Sequence, residues 1–211
     1  MAQLRFPNEG SIPEFLSALA SPEDTHGAVA AAAIAGAMGS SLVQMVAALP
    51  QTLPHGDDDH TALVSAAAAL GRVQEELLET VETETAVKLF TARNMPQASE
   101  GQRVQREGAI QFALRATADV PLEVMRLCAR ALQRAETVAG RSPRAASADV
   151  ELAVGLLEAA FNGARSNLEA KLPSLTDAVR VTSIAEQVAR LSHDAAAAAD
   201  AARLSVKVPP A

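Results

Sequence analysis

The sequence predicts an all-α fold, a single-domain bundle of long antiparallel helices over residues 1–211. Hydrophobic residues make up 49% of the chain and aromatic residues 2%, with neither Trp nor Tyr. This composition is typical of helices packed through small side chains, and it argues against β-sandwiches, which use aromatic and β-branched residues. The length of 211 residues also fits one domain. We expect residues 1–10 and 207–211 to be tails.

Three helices are predicted in the first half of the chain: Ser11 to about Ala20, about Gly27 to Leu49, and about Thr61 to Thr91. The first begins with Ser11-Ile12-Pro13-Glu14, which has the pattern of a capping box. The second carries Gly36 and Gly39 on a face with almost no side-chain bulk, so we expect it to lie at the centre of the bundle. A loop is predicted over residues 51–60.

Four helices are predicted in the second half: about Gln102 to Thr117, Pro121 to about Ala139, Ser147 to Leu172, and a last helix to about Val206. A break is expected near Asp119, because Pro121 suits the first turn of a new helix. A basic turn containing Pro143 precedes the third of these helices. Asp177 is expected to cap the last one.

Composition and charge exclude several functional classes. The single Cys128 excludes a disulfide framework and suits a reducing cytoplasm, and we predict no secretion signal. A net charge of −7 without a basic stripe argues against nucleic-acid binding. The apolar segment Gly27–Pro50 has no aromatic or basic anchors, so we interpret it as a core helix and predict no membrane association.

Several segments, in a fixed order, resemble one family. The segments are Ser17–Pro22, Ala33–Val46, Asn94-Met95-Pro96, Ala118–Leu122, Asp149-Val150 and Asn167-Leu168. Together they resemble the folate cyclodeaminase/cyclohydrolase family, which includes the cyclodeaminase domain of formimidoyltransferase-cyclodeaminase and bacterial methenyltetrahydrofolate cyclohydrolases. The resemblance covers nearly the whole chain. It implies a helical bundle, a homodimer and a folate-type small-molecule substrate, with no metal and no cofactor beyond the substrate itself.

The sequence departs from the family's pattern where the chemistry usually lies. His26-Gly27-Ala28-Val29 replaces a Pro-Gly-Gly-Gly segment at the start of the central helix. Residues 51–60 contain none of the lysines of the family's Gly-Lys-Lys-Tyr segment. Glu82 is the nearest match to a catalytic Asp, and Lys171 stands where the family has a second Asn. These departures indicate an altered or lost activity.

Glu82 is the candidate catalytic residue. On the predicted long helix, apolar residues share a face with Glu82: Leu78 before it, and Ala86 and Leu89 after it. Burial among apolar side chains raises the pKa of a carboxyl towards values useful for proton transfer near neutrality. The alternative, an exposed glutamate on a helix rich in glutamate, stays open.

Four further residues are candidates for substrate binding: His26, Gly27, Asp149 and Asn167. Gly27 keeps one glycine at a helix entrance, where free N–H groups can face an oxygen of a ligand. His26 could donate a proton there, or it could be only a polar residue at the helix start. Asp149 could bind substrate or interact with the helix dipole. Asn167 is predicted to hydrogen-bond across the bundle or to ligand, because Asn is a poor former of helix interiors.

Two other groups of residues are not interpreted as functional sites. Residues 57–60 read Asp-Asp-Asp-His, but consecutive residues cannot all face one ion, so we predict a solvated loop rather than a metal site. Arg93, Arg103 and Arg106 could attract a folate glutamate tail, although scattered surface arginines are the simpler interpretation.

The sequence therefore supports two hypotheses. The first is a folate one-carbon enzyme, either a methenyltetrahydrofolate cyclohydrolase or a formimidoyltetrahydrofolate cyclodeaminase, in which a carboxylate moves a proton. The second is a catalytically degenerate member of the family that acts as a folate-binding or protein-interaction module.

Overall fold

A computed structural model describes residues 12–21, 27–50, 52, 57–81 and 91–207. Its α-helices include α1 Ile12–Ala20, α2 Ala28–Ala47, α3 Asp57–Val81, α4 Glu100–Ala139, α5 Ser147–Lys171 and α6 Ala178–Lys207. Short 3₁₀ turns at Arg144–Ala146 and Leu172–Ser174 precede and follow α5. The described ranges contain no β-strand, so the predicted all-α class is confirmed.

Helix α2 lies at the centre and packs against α3, α4 and α5. It runs antiparallel to α5, because Gly39 faces Ala153 and Leu157 whereas Ala32 faces Gly163. Helices α4 and α5 form an antiparallel hairpin, so α2 and α4 point the same way. Helix α6 packs along α4 in a parallel direction.

The small side chains of α2 allow this central position. A Cβ atom at Gly39 would lie 2.8 Å from Leu157 Cγ and 2.9 Å from the carbonyl oxygen of Ala153. At Gly36 it would lie 3.0 Å from Cys128 Sγ. The predicted central helix is confirmed. Within the described part of the chain, α2 is also the one helix long and apolar enough to cross a membrane, and half of it is buried in the bundle.

Helix α4 differs from the prediction of two helices separated near Asp119. It continues for 40 residues through Pro121. A proline inside a helix removes the N–H that would bond the carbonyl four residues earlier, here that of Thr117. The Nζ atom of Lys171 donates to this carbonyl oxygen at 3.0 Å, so a side chain from α5 replaces the missing donor. The predicted break is therefore wrong.

The start of α3 also differs from the prediction. The helix begins at Asp57, whereas a loop was expected up to residue 60. Carboxylates in the first turn interact favourably with the positive end of the helix dipole. The carboxylate of Asp59 is paired with the guanidinium of Arg141, which follows α4. These two interactions explain why the acidic run is helical.

In the second half of the chain, two helices begin at capping residues that the local sequence provides. Ser99 and Gln102 form a reciprocal capping box at the start of α4. Asp177 Oδ1 accepts a hydrogen bond of 3.1 Å from the backbone N–H of Arg180, which confirms the predicted cap of the last helix. Ser11 lies outside the described residues, as do residues 82–90 of the predicted long helix. Residues 91–93 are described and helical, so a helix ends within about two residues of the predicted end at Thr91.

Candidate functional site

Several helix ends meet at one end of the bundle, which we call the Gly27 end. Since α2 and α5 are antiparallel, the beginning of α2 and the last turns of α5 lie there together. The hydrogen bond from Lys171 to the carbonyl of Thr117 places this turn of α4 beside the last turn of α5, at the same end of the bundle. The start of α6 is attached through an ion pair between Arg180 and Asp119.

Gly27 is the N-cap residue of α2. It is exposed, and a Cβ atom added to it would have nothing within 4 Å. Its carbonyl accepts the N–H of Ala30 at 3.0 Å, and no side chain caps the helix start. The first N–H groups of a helix lack partners within the helix, so this position can present backbone donors to a ligand.

Asn167 lies at the same end, one helical turn beyond the contact between Gly163 and Ala32. Its side chain is half-buried, and its Oδ1 atom is buried without a hydrogen-bond partner among the described residues. Buried polar atoms normally have a partner, and a lone acceptor costs roughly 1–3 kcal/mol. This atom is therefore available to a donor that the described residues do not supply.

Lys171 follows Asn167 by one turn on the same face of α5. Burial lowers the pKa of its ammonium group from the ordinary value of 10.5. Sequence reasoning noted Lys171 only as a departure from the family. The signal that could have located its partner is Pro121, whose missing N–H frees the carbonyl of Thr117.

Two of the described acidic residues of the Gly27 end are paired with arginines. Asp119 is paired with Arg180, and Asp177 lies 3.5 Å from the guanidinium of Arg115. These pairs join α4 to the start of α6. Neither Asn167 nor Lys171 takes part in these arginine pairs.

Glu82 and His26 lie outside the described residues. The residues next to them in the chain are described. Leu78 and Val81, at the end of α3, pack against the core. Both roles therefore stay predictions.

Asp149 occupies the first turn of α5 and is half-buried. It is 18 residues from Asn167 in the same helix, or about 27 Å at a rise of 1.5 Å per residue. Within a single chain, Asp149 therefore lies far from Gly27 and Asn167. The first-turn position suits an interaction with the helix dipole.

The arginine group near the start of α4 is engaged locally. Arg103 is paired with Glu100 at 2.7 Å, and Arg106 Nε donates to the carbonyl of Arg93 at 3.1 Å. Among the residues that the structure describes, no three His, Cys, Asp or Glu side chains are grouped closely enough to hold a metal ion.

An open groove of about 380 Å³ lies elsewhere, between α4 and α6. Its polar lining includes Glu123, Arg126, Arg130 and Asp194. Arg126 is bonded to Glu123, and Arg130 is bonded to Glu76, so much of the charge in the groove is neutralised within the protein. None of the predicted site residues lines it.

Comparison with known proteins decides the family. The model of the formiminotransferase-cyclodeaminase family matches residues 11–190, which is most of the chain. The chain belongs to this family. The cyclodeaminase/cyclohydrolase resemblance identified in the sequence is thereby confirmed.

Two known proteins that are similar to this chain are informative. A methenyltetrahydrofolate cyclohydrolase from Methylorubrum extorquens is 33% identical, over 72% of this chain and 76% of the relative. The crystal structure of formiminotetrahydrofolate cyclodeaminase from Thermotoga maritima matches with a TM-score of 0.82 and 21% identity. That match covers 95% of this chain and 97% of the other, and it shows that the fold is shared.

The family-like segments can now be located in this chain. Gly27, the Ala118–Leu122 segment and Asn167 lie at the Gly27 end, although they are far apart in the sequence. The Asp149-Val150 segment lies at the opposite end of α5. The Gly27 end is therefore the candidate functional site of this family member.

Proposed function

We propose that this protein is a folate one-carbon enzyme that hydrolyses the methenyl bridge of 5,10-methenyltetrahydrofolate. One observation supports the proposal. At one end of the bundle lie Gly27, Asn167 and the turn of α4 around Pro121. These are the segments through which the chain resembles the family. The relative with 33% identity is named a cyclohydrolase, so the hydrolytic reaction is preferred over cyclodeamination of a formimidoyl substrate.

In this proposal Glu82 is the proton carrier. Its carboxylate accepts a proton from the water that adds to the amidinium carbon of the substrate. The proton then passes to N5 as the bond between N5 and that carbon breaks. The hydroxyl proton leaves to solvent as the carbonyl forms, which gives 10-formyltetrahydrofolate. Glutamate can serve here in place of aspartate if its longer side chain is held in position.

The one cysteine is unsuited to the chemistry. Cys128 is completely buried beside Gly36, and burial raises its pKa to about 12. A thiol in that state is not a nucleophile near neutral pH. The reaction as proposed uses only proton transfer and water, so it requires no metal and no redox cofactor. A single reduced cysteine also suits the cytoplasmic location that we propose.

We also propose that the protein is a homodimer. Helix α2 contains no charged residue, yet one of its faces points outward and carries Met38 and Met45, which are 54% and 42% exposed. Val64 of α3 and Leu152 of α5, on the two flanking helices, are exposed as well. An apolar surface of this kind on a helix without charges favours contact with a second copy.

The second candidate function is a folate-binding or protein-interaction module without catalysis. The replacement of two family glycines by Ala28 and Val29 favours it, since side chains crowd the helix entrance. The absence of lysine from residues 51–60 favours it too. Substrate turnover separates the two functions.

The test is to incubate the protein with 5,10-methenyltetrahydrofolate and to follow the loss of its near-ultraviolet absorbance against a buffer blank. We expect a rate above the blank that falls by about 10²-fold or more in Glu82→Gln, which is typical for loss of a general base. Glu79→Gln is the matched control, because Glu79 is an exposed glutamate of α3, three positions before Glu82 in the sequence.

Each outcome has a separate meaning. No rate above the blank would favour the binding module over the enzyme. A rate that Glu82→Gln leaves unchanged would keep the enzyme but remove Glu82 from the mechanism. An equal loss in Glu79→Gln would indicate a general effect of charge on α3.

A further inference from the structure

Ion pairs join α3 to the outward side of α4 at two points. Glu76 Oε2 accepts a hydrogen bond of 2.7 Å from Arg130 Nη2, and Asp59 is paired with Arg141. Residue numbers fall along α3 as they rise along α4, so the two helices run antiparallel. We call this shared side the α3–α4 edge. At both points an arginine of α4 is matched by an acid of α3.

Between these two points the matching of charges fails. One helical turn from Glu76, towards the start of α3, lies Arg72, and one turn from Arg130, towards the end of α4, lies Arg134. Because the helices are antiparallel, both steps lead in the same direction along the α3–α4 edge, so the two arginines lie beside each other. Both are exposed, and neither has a hydrogen bond or an ion pair among the described residues.

An anion would complete the α3–α4 edge at this position. Two like charges on neighbouring helices repel each other, and an anion between them removes the repulsion. A guanidinium group presents paired N–H donors whose spacing matches the oxygens of a phosphate group. The axes of packed helices are roughly 8–10 Å apart, so arginine side chains from both helices can reach one phosphate group.

The open groove between α4 and α6 lies next to this position. Gln133, the residue before Arg134, lines the groove together with Ala129, Leu191 and Asp194. Its volume of about 380 Å³ falls within the usual range for small-molecule sites. Neither Gln133 nor Asp194 has a hydrogen-bond partner among the described residues. Their oxygens favour a ligand body with N–H donors, whereas an anionic group must lie away from Asp194, towards the two arginines.

We propose that Arg72 and Arg134 bind the phosphate group of a small molecule whose body carries an amino group and lies in the groove between α4 and α6. A nucleoside monophosphate with an exocyclic amine has this combination of groups. The position is separate from the Gly27 end, because Arg134 follows Thr117 by 17 residues in α4, or about 26 Å at a rise of 1.5 Å per residue. The proposal therefore does not depend on the function proposed above.

The test is equilibrium dialysis of the full chain with adenosine monophosphate, inorganic phosphate and adenosine, at constant ionic strength. We expect the monophosphate to bind at least about tenfold more tightly than either of the other two probes, because it alone occupies both the arginine pair and the groove. Arg72→Gln and Arg134→Gln should each weaken binding of the monophosphate about tenfold or more, which is typical for loss of charged hydrogen bonds. Binding of adenosine should not change.

The matched control is Arg144→Gln, since Arg144 is another exposed arginine without a partner among the described residues. Circular dichroism should show that all three variants keep their helical content. The proposal is overturned if adenosine monophosphate does not bind, if it binds no more tightly than inorganic phosphate, or if Arg72→Gln and Arg134→Gln bind it as the unmodified protein does. An equal loss in Arg144→Gln would also overturn it, because the positive charge would then act only at long range.

Discussion

At the scale of single residues, close packing in this bundle depends on particular glycines. Gly39 is in contact with both a side chain and a backbone oxygen of α5, namely Leu157 Cγ and the carbonyl of Ala153. A side chain can move to another rotamer, but the backbone of a packed helix cannot move as easily. Gly39 is therefore less replaceable than a glycine that faces open space.

We expect Gly39→Ala to lower the free energy of unfolding by about 1–3 kcal/mol, because overpacking forces the two helices apart. Gly108→Ala is the matched control, since a Cβ atom on Gly108 in α4 would have nothing within 4 Å. It should raise stability by up to about 1 kcal/mol, the usual gain in helix propensity. Urea unfolding followed by circular dichroism measures both. Equal changes in the two variants would contradict this account of the packing.

At the scale of elements, the unbroken α4 depends on a donor from another helix. Pro121 lies inside α4, and the carbonyl that it frees is satisfied from α5 by Lys171. This exchange explains why a helix can pass through a proline in a buried position. It also attaches the end of α5 to the middle of α4.

A double-mutant cycle tests this dependence. Lys171→Met leaves the Thr117 carbonyl without a donor, and we expect it to cost roughly 1–3 kcal/mol of stability. With Pro121→Ala, the restored N–H can bond that carbonyl, so the same change should cost much less. Chemical unfolding of the four proteins should give a coupling of about 1 kcal/mol or more. Additive effects would show that Lys171 does not compensate for the proline.

At the scale of the whole molecule, the outward face of α2 leads to a prediction about assembly. Met38→Glu places a charge within the apolar face, and we expect it to weaken self-association at least about tenfold because the charge would be desolvated. Sedimentation of the protein over a range of concentrations measures the change. Val179→Glu is the control, because Val179 is 82% exposed at the start of α6.

A dimer that is retained in Met38→Glu, or an unmodified protein that stays monomeric at all concentrations, would contradict the proposed assembly. The midpoint of thermal unfolding of the isolated monomer should change little, since Met38 is already exposed. A large loss of stability in the monomer would indicate that Met38 packs within its own chain.

The sequence alone was sufficient for the all-α class, the family and most helix bounds. Periodicity, capping residues and small-residue faces are local properties, and they correctly located α2, α5 and α6. Gly27 and Asn167 could be selected as candidate site residues from the resemblance. Their positions at one end of the bundle follow from the antiparallel packing of α2 and α5, which no local pattern specifies.

The tertiary structure decided those features of the helices that depend on residues distant in the sequence. The prediction of a break near Asp119 failed because the donor that compensates for Pro121 comes from Lys171, which is 54 positions after Thr117. The acidic turn at the start of α3 is stabilised in part by Arg141, 82 positions after Asp59. A sequence pattern reports the preference of a segment for its own hydrogen bonds, whereas the folded chain can satisfy those bonds from any side chain that packing brings near.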